Sequence, residues 1–242
     1  MKFFLFFTIF LSFTYSYSQS NFKSGIIDYG VDLNDRVFKM IKEIDTNKDD
    51  DKYQKRIEAS FQKLISYHKK IYSRDIPFLN LSFKKNTYIL KPIEIMIPEK
   101  LQGKFIFQSK TYYHNINNCV YLKRFQSRGE TYIAPLKREY NWEIKNEQKT
   151  ILGYQCRKAV LEIPNNNKII AWFTPQIPIA FSPVRYYGLP GAILEVTTPL
   201  KHIYAKNIEF KEDVEIEKPT EGIKLSKEEY QEMISRPGKK SK

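Results

Sequence analysis

Cysteine, histidine and tryptophan are scarce in this sequence, and acids are outnumbered by bases. The 242 residues hold two Cys, three His, two Trp and nine Gly, with 27 acidic against 40 basic side chains. Two lone cysteines, Cys119 and Cys156, with no neighbouring His make a poor zinc site. His68, His114 and His202 are far apart, and none stands in a paired metal spacing or beside a glycine-flanked serine. The glycines show no repeated spacing, so a phosphate-cradling loop is excluded and no cofactor is called for. Long apolar runs are missing beyond Phe3 to Phe13, which is too short for a membrane span of about 20 residues.

What is present begins with a leader. "MKFFLFFTIFLSFTYSYSQS" has one Lys, an apolar and hydroxyl-rich stretch, and small residues before a cut after Ser18, so residues 1–18 read as an export signal. No Cys near the cut offers a lipid attachment point. The formal charge of +13 has two readings. It steers the protein to anionic partners, or it reflects a background rich in Lys, Asn, Ile, Phe and Tyr. The charges are spread along the chain, the one compact basic block is the tail "RPGKKSK", and nucleic-acid signatures are lacking, so no specific nucleic acid is expected. In an oxidising compartment Cys119 and Cys156 could pair. The bridge would close a loop of about 38 residues and stabilise by roughly 4 kcal/mol, but their separation cannot be read from sequence.

The chain is long enough for one core, expected over residues 19–235. "SGIIDYGVDL" has the alternation of a first strand. Apolar residues at helical spacing (Val37, Met40, Ile41 and Ile44, then Ile57, Phe61, Leu64, Ile65, His68 and Ile71) predict a helical pair over about 34–73. The joint "DTNKDDDKYQKR" starts like a calcium loop. It fails at Asp50, where the turn requires Gly, and at Arg56, where a bidentate Glu should close the site. From Phe78 the texture is β. Short aromatic and β-branched runs are broken by Gly, Pro and Asn about every ten residues, which predicts an antiparallel meander over about 78–212, and "IPNNNKII" reads as a hairpin. Ser226 and Glu229 form a capping box, with Leu225 and Tyr230 as its hydrophobic staple, for a helix over about 227–235. Residues 236–242 read as a disordered tail. The predicted fold class is therefore α+β: mainly an antiparallel β meander, curved or half-barrel-like, with an N-terminal helical pair and a short C-terminal helix.

The unusual stretch is "FTPQIPIAFSPVRYYGLPG". Prolines at 175, 178, 183 and 190 forbid regular structure, yet the segment is apolar, and loops of about 18 residues in a compact domain are generally functional. Leu189, Pro190, Gly191 and Ala192 suit a type II turn, with Gly191 at positive φ, and Gly188 would allow close backbone approach. Beyond the turn, Ala192, Leu194 and Val196 alternate toward the core, with Ile193, Glu195 and Thr197 opposite.

"GLPGAI" at Gly188 to Ile193, "GIIDYGV", the run from "NWEI" to "ILGYQCRKA" (Asn141 to Ala159) and "AWFTPQIPIAFSPVRYYGLPG" from Ala171 together resemble the GLPGLI family of exported Bacteroidetes proteins. Ala192 stands where the family name has Leu. The resemblance covers most of the mature chain and implies a β-rich protein of the cell envelope. It implies no reaction and no catalytic residues.

Two functions follow as expectations. The first is a non-enzymatic envelope module, periplasmic or secreted, that binds an outer-membrane or other envelope protein, a peptide or a glycan through Phe181, Arg185, Tyr186 and Tyr187, residue types enriched at recognition hot spots. In that reading the loop's aromatics either recognise the partner or fold back as a lid on the sheet. The second is an envelope peptide or glycan hydrolase using strand carboxylates such as Glu139, Glu143 and Glu195.

Overall fold

The computed structural model describes residues 24–33, 77–93, 110–136 and 140–235, together with Ala59 and Ser66. The leader, the helical pair expected at about 34–73, the abortive calcium loop and the tail 236–242 lie outside the described residues, save Ala59 and Ser66 within the expected pair.

Twelve strands form one sheet: β1 (Ser24–Leu33), β2 (Leu79–Lys84), β3 (Thr87–Pro92), β4 (Thr111–Asn115), β5 (Val120–Ser127), β6 (Glu130–Pro135), β7 (Glu143–Ile151), β8 (Tyr154–Ile163), β9 (Asn167–Thr174), β10 (Ala192–Thr197), β11 (Lys201–Phe210) and β12 (Ile223–Lys224). The order is β12-β6-β5-β4-β3-β2-β1-β11-β10-β9-β8-β7. This corrects the expected α+β meander. The sheet is mixed, because β12 runs parallel to β6, and its order is not sequential: two arms, antiparallel apart from that edge pair, flank a central β1. The described residues contain one continuous helix, α1 (Lys227–Ser235). Its capping box is formed as the sequence dictates, Ser226 N donating to Glu229 Oε2 at 2.6 Å and Glu229 N to Ser226 Oγ at 3.1 Å.

Connectivity forces this sheet to curl. Residues 136–142 join β6 near one edge to β7 at the other, and seven residues reach about 28 Å at full stretch. The ten strand spacings between β6 and β7 would span about 48 Å if flat. The two arms must therefore face each other across a common interior. Leu81, Phe83, Tyr88 and Leu90 from one arm share a single core with Ala159, Ile169, Ala171 and Phe173 from the other. Tyr29 on β1 is fully buried and donates its hydroxyl to the Ile193 carbonyl at 2.8 Å, tying the central strand to β10.

The "IPNNNKII" hairpin links β8 to β9, with Asn165 at φ 65° and Asn166 at φ 52°, the left-handed geometry that Asn tolerates. The alternation expected along β10 fails at one point. The register shifts between Ile193 and Glu195, and a bulge of this kind lets Ile193 as well as Leu194 be fully buried.

Candidate functional site

Residues 175–191 connect the neighbouring strands β9 and β10. Proline removes donors and fixes φ, so the chain closes tight three-residue turns instead of a ladder. Ile179 N donates to Ile177 O across Pro178, Phe181 N to Ile179 O, and Gly191 N to Leu189 O across Pro190, at 2.8, 2.8 and 2.9 Å. The type II turn at Pro190 is thereby corrected. Ala192 N, which such a turn would aim at Leu189, donates to Ile177 O at 3.1 Å instead. Gly191 does take positive φ (146°), and it is also the point of close approach, since a Cβ there would lie 2.2 Å from the Thr174 carbonyl oxygen. Gly188, expected to fill that role, has φ 107° and open space where a Cβ would be.

Much of this loop is filler. Ile177, Ile179, Phe181 and Leu189 are buried, and Phe181 stacks on Phe83 with centroids 5.7 Å apart. Tyr187 is buried too, stacked on Tyr121 at 4.7 Å and edge-on to His114 at 4.4 Å, while its carbonyl accepts from Trp142 Nε1 at 3.1 Å. His114 sits 2.6 Å from the Tyr88 hydroxyl through Nδ1, and its Nε2 is buried without a hydrogen-bond partner. The Tyr88 oxygen is also hydrogen-bonded to the Ser182 backbone. If that oxygen accepts from the amide, its proton goes to Nδ1 and the imidazole is the Nε2–H tautomer. Burial pushes the His114 pKa down to about 3, so the ring is neutral at physiological pH.

The second half of the loop is different. Pro183, Val184, Arg185 and Tyr186 form one wall of a cavity of about 380 Å³ between the two arms. Leu79, Leu90, Ile163, Ile169 and Ile203 give it an apolar floor, and Lys110, Lys123, Arg185 and Lys201 line it from four separate segments. No carboxylate occurs among its described lining residues. Arg185 Nη2 donates to Tyr186 Oη at 2.8 Å, and its guanidinium lies 4.9 Å from that ring. Lys123 Nζ donates to Tyr230 Oη at 2.8 Å and lies 4.3 Å from the Phe125 ring.

The cations bear the cost of this placement. Burial, reinforced by Arg185, pulls the Lys123 pKa down to about 8. Burial and then Lys110 pull Lys201 to about 7. Lys110 is lowered by burial and by Lys123, and burial raises the Tyr112 phenol to about 12. An anion entering this space would restore the charged amines.

A second cavity, about 340 Å³, makes the contrast. It lies on the opposite face of β3–β5 and mixes Lys91, Arg124 and Lys218 with Glu217 and Glu221, so its cations are largely offset by acids within it.

Of the loop residues predicted from sequence, Arg185 and Tyr186 line the basic cavity, Tyr186 from within the core, while Phe181 and Tyr187 are buried and do not line it. Gly188, Leu189, Pro190 and Gly191 are the corner that turns the chain into β10. Cys119 and Cys156 do not form the expected disulfide. Cys119 is exposed in the β4–β5 turn and Cys156 is buried on β8 in the other arm, and burial raises the Cys156 thiol to about 11. The carboxylates lie elsewhere as well. Glu195 accepts from Lys149 at 2.6 Å and pairs with His202 at 3.3 Å. These contacts, His202 first, hold its pKa low despite burial. Glu143 pairs with Lys145 on its own strand. Neither lines the cavity. Glu139 and His68 lie outside the described residues. Lys110, Lys123 and Lys201 were not singled out by sequence reasoning.

A family described as a protein of unknown function (Porph_ging) matches residues 160–195, a span that contains the proline loop and its Leu-Pro-Gly corner. No curated protein matches the chain. Among solved structures the chain is similar to PNGF-II in two crystal forms. One has a TM-score of 0.56 at 14% identity and the other 0.53 at 13%, each over 88% of this chain and 33% of that one. The likeness is one of fold, and the chain spans about a third of the protein it resembles.

Proposed function

We propose that this protein is an exported cell-envelope protein of the GLPGLI type, a non-enzymatic binding or accessory module whose site is the basic cavity between the two arms of its sheet. The leader at residues 1–18 and the resemblance carried by "GLPGAI" and its flanking segments support the export and family parts of this reading. The Porph_ging match over the same corner is consistent with it. The observation that carries the site is the convergence of Lys110, Lys123, Arg185 and Lys201 on one space whose described lining holds no carboxylate. Lys123 and Lys201 are partly buried, whereas Lys110 and Arg185 reach the space from exposed positions. Partly buried charge is costly unless it is compensated, and groups with perturbed pKa gathered in a cleft mark functional sites. Of the acids a hydrolase could use, Glu195 and Glu143 are held in ion pairs and do not line that space.

Titration calorimetry with inorganic phosphate at pH 6.5, on the wild type and on Lys123→Met/Arg185→Ala, tests the site. Saturable binding by the wild type that weakens at least about tenfold in the double variant is expected from losing two charge-assisted contacts. Binding of equal strength in both would contradict the assignment.

A further inference from the structure

The cavity's lining narrows the class of ligand, and this inference rests on the reading of the cavity as an anion site. Its donors and acceptors are unbalanced: four cationic side chains donate, and among its described residues the side-chain acceptors are the hydroxyls of Tyr112, Tyr186 and Thr198. Two of these are already engaged. Tyr186 Oη accepts from Arg185, and Thr198 Oγ accepts from the Lys201 amide at 3.0 Å. A neutral sugar brings many hydroxyl donors that need acceptors and would leave them unsatisfied here, at a cost for each one. A small inorganic anion would satisfy the cations and leave the apolar lining that water reaches, Ile163, Val184 and Leu200, in contact with water, above the buried side chains of Leu79, Leu90, Ile169 and Ile203. The volume of about 380 Å³ lies within the range of small-molecule sites.

From this arrangement we infer that the cavity takes a monomeric amphiphilic anion, with a phosphate, sulfate or carboxylate head between Lys123 and Arg185 and an apolar chain or ring on the aliphatic floor. The head bridges the two arms, because Lys123 comes from β5 and Arg185 from the β9–β10 loop. The chain lies against Ile163, Val184 and Leu200, over the buried side chains of Leu79, Leu90, Ile169 and Ile203. The same geometry excludes a cationic amphiphile by repulsion and disfavours a non-ionic one, which leaves the amines desolvated and uncompensated.

The test is a calorimetric series on the purified protein at pH 6.5 with inorganic phosphate, then butyl, hexyl, octyl and decyl phosphate below their micelle concentrations. Decyl maltoside, decyltrimethylammonium and vesicles of phosphatidylglycerol serve as comparison arms. Affinity should rise about fourfold per methylene until the floor is covered, with decyl phosphate at least about 100-fold tighter than inorganic phosphate. The maltoside and the ammonium should not saturate. Ile163→Ser should flatten the chain-length dependence and leave inorganic phosphate unchanged, and the wild-type series decides the matter if that variant does not fold. Equal affinity for inorganic and decyl phosphate, both lost in Lys123→Met/Arg185→Ala, would overturn the amphiphile and leave the anion site standing. No binding of any phosphate would overturn both. Binding to the vesicles without binding to monomeric decyl phosphate would replace the cavity with a membrane surface.

Discussion

The two halves of the proline loop sit on the same sheet and do opposite things. From Ile177 to Phe181 the loop is a plug, its apolar side chains packed dry against Phe83, Tyr88 and Phe173. From Pro183 to Tyr186 it is a wall, holding Arg185 over a space shared with three lysines. Burying Phe181 follows the ordinary logic of apolar area removed from water. Gathering like charges in a half-buried cavity opposes folding, as the lowered pKa values of Lys123, Lys201 and Lys110 record. One end of the interior is therefore explained by stability, and the other by the ligand we propose for it.

The contrast can be broken in several ways, and the largest effect belongs to the plug. Phe181→Ala should cost about 3–5 kcal/mol, read as a fall in Tm, and a cost under 1 kcal/mol would show that the loop is not part of the core. Gly191→Ala comes next, at about 2–4 kcal/mol, because strained φ adds to a clash with the Thr174 carbonyl. Gly188→Ala should cost only about 1 kcal/mol, the price of positive φ in open space. Equal losses at the two glycines would refute the assignment of close approach to Gly191.

The smallest effect lies at the wall and has a pH signature. The folded pKa values of Lys123 and Lys201, about 8 and about 7, lie below the ordinary lysine value of 10.5. Between them and 10.5 the unfolded chain binds more protons than the folded one, so ligand-free stability should rise with pH over about 7 to 10. Lys110, lowered by burial, deepens the trend, whereas Arg185, raised against its burial by Tyr186, stays charged, and the neighbouring tyrosines Tyr112 and Tyr230, with raised pKa values, stay neutral across it. Lys123→Met should flatten the part of this rise above pH 8 and leave Tm unchanged or slightly higher. An unaltered pH profile would show that the Lys123 amine is not desolvated.

The strands were legible because β-branched and aromatic runs between turn residues have few alternatives. β1 falls on "SGIIDYGVDL" and α1 on the residues its capping box requires. The sheet's order was not legible. Nothing local in residues 136–142 says that the chain crosses from one edge to the other, and that crossing converts a meander into two facing arms. Turn chemistry was half legible: Gly191 has the predicted sign of φ, but the partner of the Ala192 amide lies fifteen positions upstream at Ile177. Arg185 and Tyr186 stood out as residue types enriched at recognition hot spots within a long apolar loop. The lysines had a fainter signal. Lys123 falls in step with Tyr121 and Phe125, and Lys201 in step with Ile203 and Ala205, so each is a cation at a core-facing position of an alternating strand. Read one strand at a time, each passes for a tolerated exception, and only the curl of the sheet brings them together.

The most direct measurement is a calorimetric titration of decyl phosphate into the wild type and Lys123→Met/Arg185→Ala, with Tm recorded for both. Saturable binding by the wild type, weakened at least about 30-fold in a variant whose Tm is essentially unchanged, is the predicted result. Undiminished binding by the variant, or binding lost only together with a collapse in Tm, would contradict the separation of plug from site.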